Sequence, residues 1–564
     1  MIPIKRLLLL LTLALEGVAL LTSQSVIGAA IDRDMAEVTI PQLERFYETR
    51  RYTVTQVVRW YVARIEKYDG IYQAIEQRDF QSALATAARQ DDEAARVRNL
   101  SRPPLWGVPI VIKANTSIQG RVTTDGWAGF VITGHQLIAP KDATIVAKLR
   151  AAGAVIIGQT NMPDLAFSDT TRSTSFGRTG NAYDVRYSPG GSSGGAVTAV
   201  SANLAVVGTG TDTSNSIRMP ASTSAVVGVL PTRGLVSIAG IAPFDWLRDN
   251  TGPIARNVTD AAIVLGVMAG EDPADFRTRG AAASAEPGPY TQYLSKDALR
   301  GTRFGVPAFI VMEHTPAPGE PVGEDWLHPQ TRAMFMKGVD ELRAAGATVL
   351  FDDSILPETF QQATGKIITR PYRLEGTEAF LKEYGPAEYH SSADYERVVG
   401  SPLPYVITGL PRATDSASAL PFPPVPQMVL ETDPNAESNF FGPQRGALAL
   451  YNDTLERFHL DGFVYPAAQI PPPDETMPQD GQLSSGPHSA TGWVNRIGVP
   501  TVVVPAGFYA SGLPFGLEFS ARRWKDGDLL GWAYAYEQST KHRRPPILVE
   551  KGLLAKKVNK PCAK

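Results

Sequence analysis

Three short stretches of the sequence combine residue types that can activate a hydroxyl group. SPGGSSGG at 188–195 places Ser192 among glycines, which let a ligand or a second backbone come close. GTGTDTSNSIRMP at 208–220 places Ser216 24 positions after the first serine. A serine hydroxyl is a weak nucleophile at neutral pH unless a base lies within hydrogen-bond reach. These stretches contain no histidine, so Lys113, which ends an apolar run, is the candidate base.

Lys113 can act as a base only in its uncharged form. Burial disfavours the charged ammonium and lowers the pKa of a lysine by up to several units. The run before it, 108–112, is apolar and predicts a buried strand, so the amine is expected to enter the interior. The alternative is an ordinary lysine whose stem leaves the strand for water.

Ser192 also fits a second pattern, because residues 190–194 read G-x-S-x-G, the nucleophile elbow of α/β-hydrolases. That reading makes Ser192 the nucleophile of an esterase and requires a strand directly before it. It also requires an acid and a histidine further along, for which His488 is available. The preceding residues, NAYDVRYSP, are typical of a loop, which argues against the elbow. The elbow is kept only as an alternative.

The elements that must position these residues alternate between helical and strand patterns, which favours an α/β fold. Apolar periodicity predicts helices at 53–67 (with Thr53 and Gln56 spaced as a capping box), 142–152 (capped, and closed by Gly153), 259–268 and 329–345. Short apolar runs predict buried strands at 108–112, 154–157, 204–207, 303–306 and 501–504.

Three stretches rich in proline or small residues predict long loops, at 272–292, 401–443 and 465–488. Long loops in enzymes often form substrate-facing walls. The loops 401–443 and 465–488 are therefore expected to line the substrate pocket, with Phe422, Phe440 and Phe441 as candidate apolar contacts.

The motifs around the lysine and the two serines resemble those of the amidase signature family of serine hydrolases. The resemblance is specific because the set is ordered and keeps the family's interval of 24 residues between the serines. It extends over roughly residues 35–540 and is weakest across 270–490. The matching stretches are GVPIVIK (107–113), SPGGSSGG (188–195), GTDT..SIR (210–218), LPTRGLVS (230–237), TGPIARNVTDAA (251–262), and GVPTVVVPAGF with GLPFGLEF (498–519).

This resemblance implies a single large α/β domain over residues 31–564, with a central, mostly mixed, twisted β-sheet flanked by α-helices. It assigns the base to Lys113, the serine after a cis peptide bond to Ser192 and the nucleophile to Ser216. The implied activity is that of an amidase, a C–N hydrolase that converts a linear amide to an acid plus ammonia or an amine through an acyl-enzyme. An inactive relative that only binds its ligand is a further alternative.

The loop around Ser216 supplies the other candidate site residues. Backbone N–H groups are expected to form the oxyanion hole at Thr213, Ser214, Asn215 and Ser216. Structural support is expected from Ser193, Thr211, Asp212 and Arg218. The chain departs from the family at Ser214 and Asn215, where two glycines are usual, and at Ala114, where an aspartate commonly follows the lysine. The second departure removes a carboxylate that would favour the charged lysine.

Composition narrows the partners. A net charge of −3 without a long basic stripe argues against a nucleic-acid partner. The seven histidines are scattered and the glycines at 190–195 lack a G-K-[ST] ending, so neither a metal nor another cofactor is expected. The expected partner is a small-molecule or peptide amide substrate, and no sequence feature indicates an oligomeric state. Cys562 is the only cysteine, so no intramolecular disulfide can form.

Residues 1–30 are predicted to be a signal peptide, because two basic residues precede the leucine-rich run 7–21 and small residues occupy 28–30. A retained anchor is the alternative, but the run is shorter than the ~20 residues of a membrane span and contains Glu16. Export to a periplasm or secretion is expected, without stable membrane association after cleavage. A glycan on the Asn115 sequon would block the site beside it, which favours a bacterial periplasm.

Overall fold

The structure is a computed structural model that describes residues 30–97, 101–311, 327–411, 420–476, 484–548 and 550–552. The predicted signal peptide lies outside these ranges except for its last residue. Parts of two predicted loops, at 412–419 and 477–483, also lie outside them. Within the described ranges, no helix combines the length and the apolar character needed to cross a bilayer.

One mixed β-sheet of eleven strands organises the fold. In chain order the strands are β1 (Ile75–Arg78), β2 (Pro109–Lys113), β3 (Val155–Thr160), β4 (Val207–Asp212), β5 (Val227–Leu230), β6 (Asn250–Ala255), β7 (Arg303–Gly305), β8 (Thr348–Leu350), β9 (Gly462–Pro466), β10 (Thr501–Phe508) and β11 (Pro514–Ala521). Across the sheet their order is β1-β3-β2-β4-β6-β5-β10-β11-β9-β7-β8. β2 pairs in parallel with β3 and β4, and β7 with β8 and β9, whereas the other pairs are antiparallel. The predicted mixed sheet is confirmed.

Helices flank this sheet, as predicted. Within the described residues the α-helices include Ile40–Glu48, Val54–Tyr72, Phe80–Arg96, Thr144–Ala151, Gly194–Ser201, Arg218–Thr223, Val258–Met268, Ala281–Ser284, Ala308–Val311, Pro329–Ala344, Glu358–Gly365, Arg373–Tyr384, Ser392–Val399, Tyr405–Thr408, Gly442–Arg457, Trp493–Ile497 and Asp526–Thr540. A π-helix, Glu437–Phe441, leads into one of them. Short helical turns thus interrupt two of the predicted loops, at Ala281–Ser284 in 272–292 and at Tyr405–Thr408 in 401–443.

The capping signals had different outcomes at two helices. Thr53 and Gln56 form both bonds of the predicted capping box before Val54–Tyr72. The helix predicted at 142–152 begins at Thr144 and has no side-chain cap. The expected cap is wrong because the carboxylate of Asp142 accepts the backbone N–H of Gln119 at 2.8 Å instead.

β2 delivers the lysine to the site. All five of its residues are buried, and the strand has a parallel neighbour on each side. A parallel strand that is covered on both faces has a continuous apolar sequence, which is why the run 108–112 predicts it correctly. The register pairs Lys113 with Thr160 at the end of β3. The carboxyl ends of the neighbouring strands therefore meet at one edge of the sheet.

The strand predicted at 204–207 is wrong in its position, since β4 spans Val207–Asp212. Leu204 belongs to the turn after the helix Gly194–Ser201, where its N–H donates to the carbonyl of Ala199 at 2.8 Å. β4 continues through a glycine- and threonine-rich stretch because β2 and β6 pair with it on both sides. This pairing outweighs the low strand propensity of glycine. It brings Thr211 to the end of the strand that neighbours the lysine.

Candidate active site

The amine of Lys113 is enclosed at the carboxyl end of β2. The residue has no exposed surface. Its Nζ lies 2.7 Å from the Oγ of Ser192 and 2.7 Å from the Oγ1 of Thr211, and the carbonyl oxygen of Thr211 is 3.5 Å away. The predicted base and the first predicted serine are therefore in direct contact. Thr211, predicted to brace the serine loop, contacts the lysine itself.

Burial controls the protonation of this lysine. Desolvation lowers the pKa of Lys113 to about 7, although the negative charges of Asp125, Asp212 and Asp249 oppose that change. Ala114, which stands where the family commonly has an aspartate, is fully buried and its carbonyl accepts the N–H of Asp125 at 3.2 Å. The carboxyl groups that influence the lysine thus come from other parts of the chain.

Ser192 follows a cis peptide bond with Gly191, as the resemblance implies. The peptide stands just before the helix Gly194–Ser201 and packs closely against the segment 168–170. A Cβ on Gly191 would lie 2.9 Å from the carbonyl carbon of Asp169, which is too close for any side chain. The glycine is therefore required by the approach of a second backbone, as its place in the motif suggests.

Ser193 ties the two serine loops together. Its N–H donates to the carbonyl of Ser216 at 3.1 Å, and its hydroxyl donates to the carbonyl of Thr211 at 3.2 Å. Ser193, the residue after Ser192, is thus bonded to the backbone on either side of the loop that leads to Ser216. This geometry agrees with the predicted structural role of Ser193.

The loop 213–216 is anchored by a buried ion cluster at its ends. The carboxylate of Asp212 accepts the N–H of Ile217 at 2.9 Å and the Nε of Arg218 at 3.1 Å. Arg218 is fully buried and also donates to Glu518 at 2.8 Å and to the carbonyl of Ser214. Two carboxylates around one guanidinium satisfy the general requirement that buried charges be paired. Asp212 and Arg218 therefore connect the two ends of the loop, and their supporting role in the site stays a prediction.

An open cavity of about 470 Å³ leads to this loop. All four residues predicted for the oxyanion hole line it, and Ser216 is 8% exposed. The other lining residues are Ala166, Phe167, Ser168, Asp169, Phe244, Gln361, Thr364, Ser485, His488, Ser489, Ala490, Gly492, Trp493 and Arg496. Ser192 and Lys113 lie behind this wall, shielded from water. In the described part of the chain, no three His, Cys, Asp or Glu side chains are grouped as a metal site requires.

The expected aromatic contacts of the cavity differ from the observed ones. Residues 485 and 488 of the predicted loop 465–488 do line the cavity, but Phe422, Phe440 and Phe441 are absent from its described wall. Phe440 is buried in the apolar cluster that also contains the cavity residue Trp493, and Phe422 packs edge-on against Phe167 at 6.2 Å. Phe167 and Phe244, stacked at 5.5 Å, supply the aromatic surface instead.

Several polar contacts of the site carry no signal in the sequence. The hydroxyl of Thr213 donates to Asp249, and Asn495 donates to the carbonyl of Asp212 at 2.9 Å. Asn115 donates to the Oγ1 of Thr211 at 3.0 Å and is buried. Thr213 lies within the serine loop that the sequence singles out, and Asn115 lies two residues after the lysine. Asp249 and Asn495 come from distant parts of the chain.

The elbow alternative lacks its main structural requirement. In the described structure the residues directly before Ser192, 184–191, form turns and bends without a strand. The Oγ of Ser192 contacts a lysine amine, whereas His488 contacts the hydroxyl of Ser485 at 3.0 Å. Ser192 therefore does not have the setting of an elbow nucleophile.

The sheet places a buried lysine against one serine, next to a loop that carries a second serine. This arrangement is typical of serine hydrolases that use lysine where others use histidine. A family model described as Amidase matches residues 56–362. The chain belongs to this amidase family, whose members hydrolyse C–N bonds. The sequence resemblance is thereby confirmed.

Similar proteins include both enzymes and one component of a tRNA-dependent amidotransferase. The chain is 32% identical over 519 residues to a glutamyl-tRNA(Gln) amidotransferase subunit of Moorella thermoacetica (strain ATCC 39073 / JCM 9320), covering 86% of this chain and 93% of that protein. The solved peptide amidase from Stenotrophomonas maltophilia matches with a TM-score of 0.70 at 29% identity, covering 91% and 98% of the two chains. A 6-aminohexanoate cyclic dimer hydrolase, 22% identical with a TM-score of 0.66, shares the fold.

Proposed function

We propose that the protein is a stand-alone amidase that hydrolyses linear carboxylic amides, with Ser216 as nucleophile, Ser192 as proton relay and Lys113 as base. The observation that carries this proposal is the 2.7 Å contact between the Nζ of Lys113 and the Oγ of Ser192, both fully buried. Ser216 stands in the cavity where a substrate has access. The three residues thus divide into a buried base and an accessible nucleophile.

Thr211 prepares the amine to accept a proton. An uncharged amine has two N–H donors and one lone pair. The Oγ1 and the carbonyl oxygen of Thr211, at 2.7 and 3.5 Å, accept the two N–H groups. The lone pair is then free to accept the hydroxyl proton of Ser192. This arrangement orients the base toward the relay serine.

Acyl transfer follows from this arrangement. The Oγ of Ser216 attacks the amide carbonyl while its proton moves to Ser192, whose own proton moves to Lys113. Backbone N–H groups of residues 213–216 stabilise the oxyanion of the tetrahedral adduct. As the adduct collapses, the C–N bond breaks and the proton returns through Ser192 to the departing amine. The acyl group remains on Ser216 as an ester. Water then attacks the ester, and the same relay regenerates the free enzyme.

Labelling with a fluorophosphonate tests the assignment of the nucleophile, because this reagent modifies activated serines. Purified protein is treated with the probe, digested and mapped by mass spectrometry, with heat-denatured protein as the control. We expect one adduct, on the peptide that contains Ser216. An adduct on Ser192 would support the esterase alternative, and the absence of any adduct would support an inactive relative.

We further propose that the protein is exported and acts in a periplasm or outside the cell. The basic residues, leucine-rich run and small residues of 1–30 support this proposal. The name of the amidotransferase relative refers to glutamyl-tRNA(Gln). Export would separate this chain from tRNA and therefore argues against the same role. The experiment is expression of the full chain in a bacterial host, with a variant lacking residues 2–30 as the control. We expect a periplasmic protein that has lost about 30 residues by intact mass, whereas full-length protein in the cytosol would contradict export.

A further inference from the structure

One carboxylate of the cavity wall is not used by the proposed mechanism. Asp169 lines the cavity, and its side chain is 26% exposed. Its Oδ1 accepts the side-chain N–H of Asn215 at 3.1 Å, and Asn215 immediately precedes Ser216. The backbone of Asp169 packs against Gly191, next to Ser192. This carboxylate is thus held between the two serine loops.

The position of the carboxylate is fixed from a further side. A Cβ on Gly486 would lie 2.8 Å from the Cβ of Asp169, so the loop that follows residue 484 presses directly on this side chain. Fixed placement matters because a rigid charge acts at a defined distance from the reacting atoms. A surface carboxylate would instead move away and be screened by water.

A carboxylate in this place opposes the proposed reaction unless a cation accompanies it. Asn215 is one of the proposed oxyanion donors, so the oxyanion forms close to the negative charge of Asp169. Two negative charges a few ångströms apart repel each other, and more strongly where water is excluded. A positive charge on the substrate would offset that repulsion and be bound by the same carboxylate.

Besides Asp169, the charged side chains that line the cavity are His488 and Arg496. His488 lies 3.7 Å from Asp169, from its Nδ1 to the Oδ2, and its Nε2 contacts the hydroxyl of Ser485 at 3.0 Å. Arg496 donates toward Thr364 on the helix Glu358–Gly365. The aromatic pair of Phe167 and Phe244 provides an apolar surface in the same cavity.

We infer that the preferred substrates are amides with a protonated primary amine close to the scissile carbonyl, and that Asp169 binds this ammonium group. Amino-acid amides with an apolar side chain fit this description, since the aromatic pair can receive the side chain. The inference rests on the proposed amidase function and specifies its substrate class.

The test compares two amides that differ only in the amino group, phenylalanine amide and 3-phenylpropionamide, at pH 7, where most α-amino groups are protonated. Ammonia release gives kcat/KM for the wild type, for Asp169→Asn, and for Asp353→Asn, an exposed carboxylate elsewhere on the surface. We expect the wild type and Asp353→Asn to favour phenylalanine amide by about tenfold or more, as expected for a lost ion pair in a partly buried site. Asp169→Asn should abolish this preference by lowering kcat/KM for phenylalanine amide much more than for 3-phenylpropionamide.

Two kinetic results would overturn the inference. One is a wild type that hydrolyses both amides equally well, and the other is an equal loss for both amides in Asp169→Asn, which would show that Asp169 only supports Asn215. Calorimetric titration of Ser216→Ala protein with the same pair measures recognition without turnover. Binding of phenylalanine amide that is no tighter than that of 3-phenylpropionamide would overturn the inference even if the amidase function failed. Tighter binding that is lost in the Ser216→Ala, Asp169→Asn double variant would support it in either case.

Discussion

Ser216→Ala is expected to lower kcat for amide hydrolysis by about 10⁵-fold or more, the scale seen when a nucleophilic serine is removed from other hydrolases. The reason is that the acyl-enzyme can form only on an accessible hydroxyl beside the oxyanion donors. Ser216 lines the cavity, whereas Ser192 lies behind its wall without exposed surface. Single-turnover kinetics on a simple primary amide, with ammonia release as the signal, measures the loss.

The matched control for this variant is Ser222→Ala. Ser222 is also buried and lies on the helix Arg218–Thr223, which follows directly, where its hydroxyl donates to the carbonyl of Met219 at 2.7 Å. Its loss removes one ordinary hydrogen bond and should cost about 1 kcal/mol of stability while leaving kcat within about tenfold. If Ser216→Ala kept the activity of this control, the nucleophile would lie elsewhere.

The sequence singles out Lys113, Ser192 and Ser216 as candidates because each belongs to a motif that is local in the chain. Lys113 ends an apolar run whose burial follows from its composition, and the glycines around Ser192 indicate a close backbone approach. The structure brings these two residues to 2.7 Å although 79 positions separate them. Packing of the helix Gly194–Ser201, which begins just after Ser192, against β2 brings the two residues together.

The sequence fails where tertiary contacts outweigh local preference. The glycine-rich stretch of β4 forms a strand because β6 pairs along its whole length and β2 pairs with its first two residues. The ion pair of Arg218 with Glu518 joins residues 300 positions apart, and Asn215 meets Asp169 across 46. No spacing in a single sequence indicates such pairs. The aromatic residues of the cavity were misassigned for the same reason.

The supporting contacts explain how the departures from the family are tolerated. At Ser214 and Asn215 the loop keeps its backbone N–H groups, and side-chain bonds take over the positioning. Arg248 donates to the Oγ of Ser214 at 2.9 Å, and Asn215 donates to Asp169. The loop that glycines would leave flexible is thus held by polar side chains.

Lys113→Met should lower kcat/KM for amides by about 10²- to 10⁴-fold, the range that a positioned general base contributes. Methionine has a similar shape and keeps the interior filled, so the protein should still fold.

The wild-type rate should also depend on pH. Because burial holds the pKa of Lys113 at about 7, the uncharged base accumulates as the pH rises. kcat/KM should therefore increase with pH up to about 7 and level off above it, and the variant should lack this dependence.

Lys148→Met provides the control, since Lys148 is another partly buried lysine whose pKa is lowered by desolvation. Its amine donates to the carbonyls of Met268 and Ala269, at 3.1 and 2.9 Å, and therefore caps a helix. Its replacement should cost stability while keeping the rate and its pH dependence. A Lys113→Met protein with near wild-type kcat/KM would show that another group accepts the serine proton. A wild-type profile that is flat between pH 5 and about 9 would show that the amine does not titrate in the reaction.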